Sequence, residues 1–204
     1  MPSVCNRLAV SLLLGLPLLV ATTHADPAPG RSGVCTTFAD STFKEENWSA
    51  GLVSQLILCE EGLPDASYDG ASVPTGGNDQ SYRLATIGYS SEFVWGAQLR
   101  DGVIYNPATQ GAIQSLTFSY DAIYLENFDS SLACFPVLVQ GATWYGGPQT
   151  SFCACQPGWR HQLFSNLTAA QFFQIIGPGA THPDFSKFGA PIQFGFGHLI
   201  GPSA

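Results

Sequence analysis

Asp65-Ala66-Ser67-Tyr68-Asp69-Gly70 sets oxygen-bearing side chains at alternate positions before a glycine. A tight loop wraps a hard cation such as calcium in this way. Asp79 can add a later carboxylate, but position twelve of the count is Gly76, where a helix-loop-helix site carries a bidentate Glu. The metal set read from this stretch is Asp65, Ser67, Asp69 and Asp79, and the alternative is that its Asp and Ser side chains cap turns by bonding nearby amides. A second kind of chemistry is sugar binding, in which aromatic rings stack on the apolar faces of a saccharide and amides or carboxylates pair with its hydroxyls. Trp144-Tyr145-Gly146-Gly147 reads as a loop rim of that kind, with Tyr68 of the acidic stretch as a further ring. Core packing is the alternative for each of these rings. Trp48, Trp95 and Trp159 fall within strand patterns and are assigned to the core.

An enzyme needs an acid and a base. Glycoside hydrolysis requires two carboxyl groups facing one sugar bond, yet Asp121 and Glu126 are five residues apart, which sends them to opposite faces of a regular strand. Glu45-Glu46 and Glu60-Glu61 are adjacent pairs with the same defect. The chain has no Gly-x-Ser-x-Gly elbow and no His-Glu-x-x-His sequence. His161, His182 and His198 are the available bases, and a lyase using His161 or His198 with a Tyr is the enzymatic alternative. No catalytic residue is assigned.

The elements that must position these residues are strands. Arg7, a nearly unbroken apolar run from Leu8 to Ala21 and then Thr23-His24-Ala25, with a small residue at the cut, form an export signal with the mature chain starting at Asp26. Residues 26–33 read as a loose arm and 34–204 as a single domain with one core. Only one of the seven basic residues leaves with the signal while all fifteen acids stay, so the mature chain is more acidic than the formal −8 of the whole. That excludes nucleic acid, whose phosphates need clustered Lys and Arg. Removing the signal also removes the membrane-like segment, and the exported chain is expected outside the cell or in the periplasm. Few charges, with 22 Gly and 14 Pro, suit short strands joined by turns.

Leu116, Phe118 and Tyr120 alternate with polar neighbours, as do Ile192, Phe194 and Phe196, and both runs predict strands with one buried face. Further strands are expected over 48–58, 81–89, 93–99, 103–105, 134–139 and 159–164. Asp101-Gly102, Asn106-Pro107 and Gly146-Gly147-Pro148 supply turns. The stretch 61–78, rich in Gly, Pro, Asp and Ser, reads as a long ordered loop. Thr168 with Gln171 three residues on predicts a short capped helix over 166–173. Cys35, Cys59, Cys134, Cys153 and Cys155 remain after Cys5 is removed, an odd set that reads as two disulfides and one free thiol. One arrangement joins Cys35 to Cys59 and Cys134 to Cys153 or Cys155, and a metal or redox role for Cys153-Ala154-Cys155 is the alternative.

Several fragments carry a resemblance. Phe38-Ala39-Asp40-Ser41-Thr42-Phe43 running to Trp48, Gly76-Gly77-Asn78-Asp79-Gln80-Ser81-Tyr82-Arg83, Tyr105-Asn106-Pro107-Ala108, Ile113 to Ser119, Pro183-Asp184-Phe185 and Ile192 to Phe196 resemble bacterial exported jelly-roll domains. Those domains are similar in architecture to concanavalin A-like lectins and glucanases and to laminin G-like modules. The resemblance implies an all-β fold, an antiparallel two-sheet jelly-roll β-sandwich with one short flanking helix. It also suggests Asp40 with Asp184 as a second cation set. The Glu-x-Asp-x-x-Glu strand of the glucanases is absent, as is the sorting tail of some relatives, which implies release rather than anchoring. The expected function is a secreted, non-catalytic module binding a glycan or another extracellular surface, with calcium as a structural ion. A polysaccharide-cleaving hydrolase or lyase, and a structural envelope or matrix component, are the alternatives.

Overall fold

Alternating apolar and polar residues build two antiparallel sheets that face each other across a shared core. The computed structural model describes residues 8–22, 35–56, 67–78, 80–89, 93–124, 130–152 and 158–202. In chain order the strands are β1 (Leu8–Thr22), β2 (Cys35–Ala39), β3 (Trp48–Leu56), β4 (Ser67–Gly77), β5 (Gln80–Tyr89), β6 (Phe93–Tyr105) and β7 (Ser115–Tyr124). They continue as β8 (Ser130–Gln140), β9 (Thr143–Gly146), β10 (Thr150–Phe152), β11 (Arg160–Leu167), β12 (Phe173–Ile176) and β13 (Ile192–Pro202). The first sheet runs β11-β7-β1-β5-β4, with β2 also on β1. The second runs β12-β9-β8-β13-β6-β3, with β10 also on β8.

The two alternating runs behave as expected. Leu116, Phe118, Tyr120 and Ala122 of β7 are buried on one side, and Phe194, Phe196, His198 and Ile200 of β13 are buried on the other. Each large apolar side chain removed from water contributes roughly 1.5–3 kcal/mol, which is what holds the layers together. A smaller apolar cluster, Ala97, Leu99, Phe135 and Val137, lies on the opposite face of the second sheet. Among the described residues no helix is long and apolar enough to cross a membrane.

The apolar part of the predicted signal is strand β1. It pairs along one edge with β7 and along the other with β5 and β2, and its register against β7 shifts between Gly15 and Leu18. Pro17 lies in that irregularity, where a residue without an N–H removes no ladder bond. Removal of residues 1–25 would take this strand out of the sheet.

Four local expectations are corrected. Most of the stretch read as a loop, Ser67–Gly77, is β4, paired with β5 over Ser67–Val73 and joined to it by a turn at Asn78. A partner strand outweighs the low strand propensity of its Gly, Asp and Pro residues. Asp101-Gly102 is not a turn between two strands but an irregularity inside β6: Gln193 pairs with Ile104 and Gly195 with Leu99, so residues 100–103 bulge opposite Phe194. Gly102 permits this with φ of 72°. Asn106-Pro107 opens helix α1 (Pro107–Gln110), where the Asn106 carbonyl oxygen of the side chain accepts from Ala108 N at 3.1 Å and Pro107 occupies the first turn. The helix expected at 166–173 shrinks to a single turn, Ala169–Gln171. The Gln171 carboxamide accepts from Thr168 N at 2.8 Å, but the chain enters β12 at once.

Candidate functional site

Strand alternation decides which side chains the first sheet presents outward. On β5 Arg83, Ala85 and Ile87 are buried, which turns Tyr82, Leu84 and Thr86 to the other face. On β7 the buried even positions turn Asp121 outward, and on β11 Phe164 packs on the core while His161 points away from it. Register then places His161 directly opposite Asp121. The His161 Nδ1 to Asp121 Oδ1 distance is 2.7 Å, with the imidazole 63% exposed and the carboxylate 15% exposed. Asn78, in the turn after β4, donates from Nδ2 to Asp121 Oδ2 at 2.6 Å. Both Asp121 oxygens are thus engaged, which fixes the His161 ring and leaves Nε2 as its remaining hydrogen-bonding atom.

Beside these groups the rings of Tyr82 and Trp159 meet edge to face, centroids 6.3 Å apart at 65°. Trp159 is only half-buried and precedes β11, which corrects its assignment to the core. One face therefore carries two aromatic rings and an Asn–Asp–His hydrogen-bonded cluster. Rings can stack on an apolar sugar face, and amide, imidazole and phenol groups can pair with hydroxyls.

The described residues among those singled out in the sequence lie in several places. Trp144 and Tyr145 belong to strand β9, not to a loop, and point to opposite faces. Tyr145 is buried in the main core, whereas Trp144 packs with Trp95, Val139 and Leu199 around the smaller cluster. Ser67 and Asp69 lie exposed, two residues apart, on β4, and Asp69 Oδ1 accepts from Gly70 N at 2.8 Å. Asp65 and Asp79 lie outside the described residues, as do Cys59, Cys153, Cys155, Glu60, Glu61 and Glu126. Cys35 begins β2. Cys134 is a free, fully buried thiol on β8, not one half of a bridge. Burial pushes its pKa well up, opposed by the Tyr120 hydroxyl.

Asp40 and Asp184, the second cation set, each have protein partners. Asp40 Oδ1 accepts from Thr42 N, Thr42 Oγ1 and Phe43 N at 2.9–3.0 Å. Its Oδ2 accepts from Trp48 Nε1 and lies 3.0 Å from Arg100 Nε. Burial pushes the Asp40 pKa up, but the hydrogen bonds from Thr42, Trp48 and Phe43 together outweigh it and the net shift is downward. Asp184 instead accepts from Ser186 N at 2.8 Å. Among the described residues no group of three or more His, Cys, Asp or Glu could hold a metal ion.

Tyr68 reaches across the interior, its hydroxyl 2.5 Å from His198 Nδ1. Burial lowers the His198 pKa to about 3 and raises that of Tyr68 well above its ordinary value, so the phenol donates to a neutral imidazole. Arg83, also buried, donates to Gln98 Oε1 at 2.6 Å and to Glu45 Oε2 and Ser72 Oγ at 2.7 Å. The His–Tyr pair of the lyase alternative does form, but inside the core, where no polymer reaches it.

Comparison of the chain with protein-family models, curated proteins and solved structures finds no match. Fold and site define the class at the level of an all-β protein of two antiparallel sheets with an aromatic and polar outer face.

Proposed function

We propose that the protein is an exported, non-catalytic binding module of jelly-roll architecture that holds a polysaccharide on the outward face of its first sheet. The observation that supports this reading is the Tyr82–Trp159 ring pair beside the Asn78–Asp121–His161 cluster. Export rests on the signal pattern of residues 1–25, and jelly-roll architecture on the resemblance of the fragments quoted above; the face described is that of the chain with β1 in place between β5 and β7. Both oxygens of the Asp121 carboxylate are engaged in holding its two neighbours, which favours recognition over hydrolysis.

Affinity electrophoresis of the full chain through gels containing soluble neutral or acidic polysaccharides tests the reading. A retarding polysaccharide is expected, with at least tenfold weaker binding for Trp159→Ala and Tyr82→Ala and unchanged binding for Trp144→Ala. Loss in Trp144→Ala with Trp159→Ala unaffected overturns the placement. Appearance of new chain ends in the bound polysaccharide overturns the non-catalytic assignment.

A further inference from the structure

Where β2, β6, β7 and β13 converge, an apolar cleft of about 210 Å³ opens between the sheets. Phe38, Phe118, Phe194 and Phe196 wall it, and the β6 bulge brings Val103 and Arg100 to its rim. The rings are braced: Phe38 packs on Phe194 at 5.8 Å and Trp48 on Phe196 at 5.3 Å between centroids.

We propose that this cleft is a second binding site, independent of the sheet face, for a neutral ring-sized group bearing one acceptor oxygen. Size sets the first part, because an apolar cavity of about 150 Å³ holds benzene in another protein. Charge sets the second. Among the described residues the charges lining the cleft are Asp40 and Arg100, which are paired at 3.0 Å, so an added anion meets Asp40 and an added cation meets Arg100. All the Asp40 acceptors are engaged. Arg100 gives Nη1 to the Asn47 and Asp101 carbonyls, and among the described residues Nη2 has no hydrogen bond, so of the two charged groups the one able to act on a ligand is a donor, beside the Thr37 hydroxyl on the rim. A phenol or an alicyclic alcohol satisfies all three conditions.

The test is fluorine NMR of 4-fluorophenol with the full chain. Line broadening is expected at millimolar ligand, displaced by cyclohexanol and at least tenfold less by benzoate. Val103→Phe fills the cleft and should weaken binding at least tenfold. Thr37→Trp, at an exposed position on the rim, should do the same if Val103→Phe fails to fold. Trp159→Ala should leave it unchanged, which separates this site from the sheet face. No broadening in the folded wild-type chain, equal binding by both rim variants, or preference for benzoate overturns the proposal.

Discussion

His198 gives the sharpest prediction, because a histidine held neutral inside the core ties stability to pH. Its folded pKa lies near 3 against 6.5 for the free side chain. Between those values the unfolded chain binds the proton and the folded chain does not, so stability present above pH 6.5 is lost as pH falls toward 3. The slope is about 1.4 kcal/mol per unit, which gives about 3 kcal/mol at pH 4.5. For a chain of this size that corresponds to a fall in Tm of roughly 6–12 °C. In His198→Gln the carboxamide oxygen can still accept from Tyr68 but cannot titrate. Thermal melts of both proteins at pH 7 and pH 4.5 isolate the effect, since groups that titrate identically in both, including Asp40 and Glu45, cancel in the difference. Wild type should lose about 3 kcal/mol more than His198→Gln between the two pH values. Equal losses would refute the account of a dry, neutral imidazole bonded to Tyr68.

Gly96→Ala should lower Tm by at least about 6 °C, because its Cβ would fall on the Tyr68 ring, which is locked in the core and cannot retreat; a melt within 2 °C of wild type would contradict that packing. Cys134 should be alkylated at least a hundredfold more slowly in the native chain than in denaturant, read by mass spectrometry of its peptide, as expected of a buried thiol with a raised pKa. Amides on the edges of β5 and β7 that face β1 should exchange faster in a chain starting at Asp26 than in the chain that carries β1, since removing Leu8–Thr22 removes their partner strand. Equal exchange would mean that those edges find another partner.

Much of the fold was legible where apolar and polar residues alternate. Leu116, Phe118 and Tyr120, and Phe194 and Phe196, could bury one face only as strands, and they do. Composition misled where pairing decides: Ser67–Gly77 carries turn residues throughout, yet β5 recruits it as a strand. Trp144 and Tyr145 looked like a rim because two glycines follow, but β8 pairs with both and turns their rings to opposite faces. The proposed binding face is the least legible part. Asp121 and His161 each offer a chemical group, but only the register of β7 against β11 sets them opposite one another, and register between strands forty residues apart leaves no local mark in the sequence. Outward alternation at both positions was the one available signal.

The most direct test of the binding face is an NMR titration of the full chain with fragments of the polysaccharide that it retains best. The account predicts that the Trp159 indole and His161 ring resonances shift together while those of Trp48, Trp95 and Trp144 stay in place. Shifts at Trp144 or Trp48 with Trp159 unmoved, or no shift with any saccharide, would contradict it.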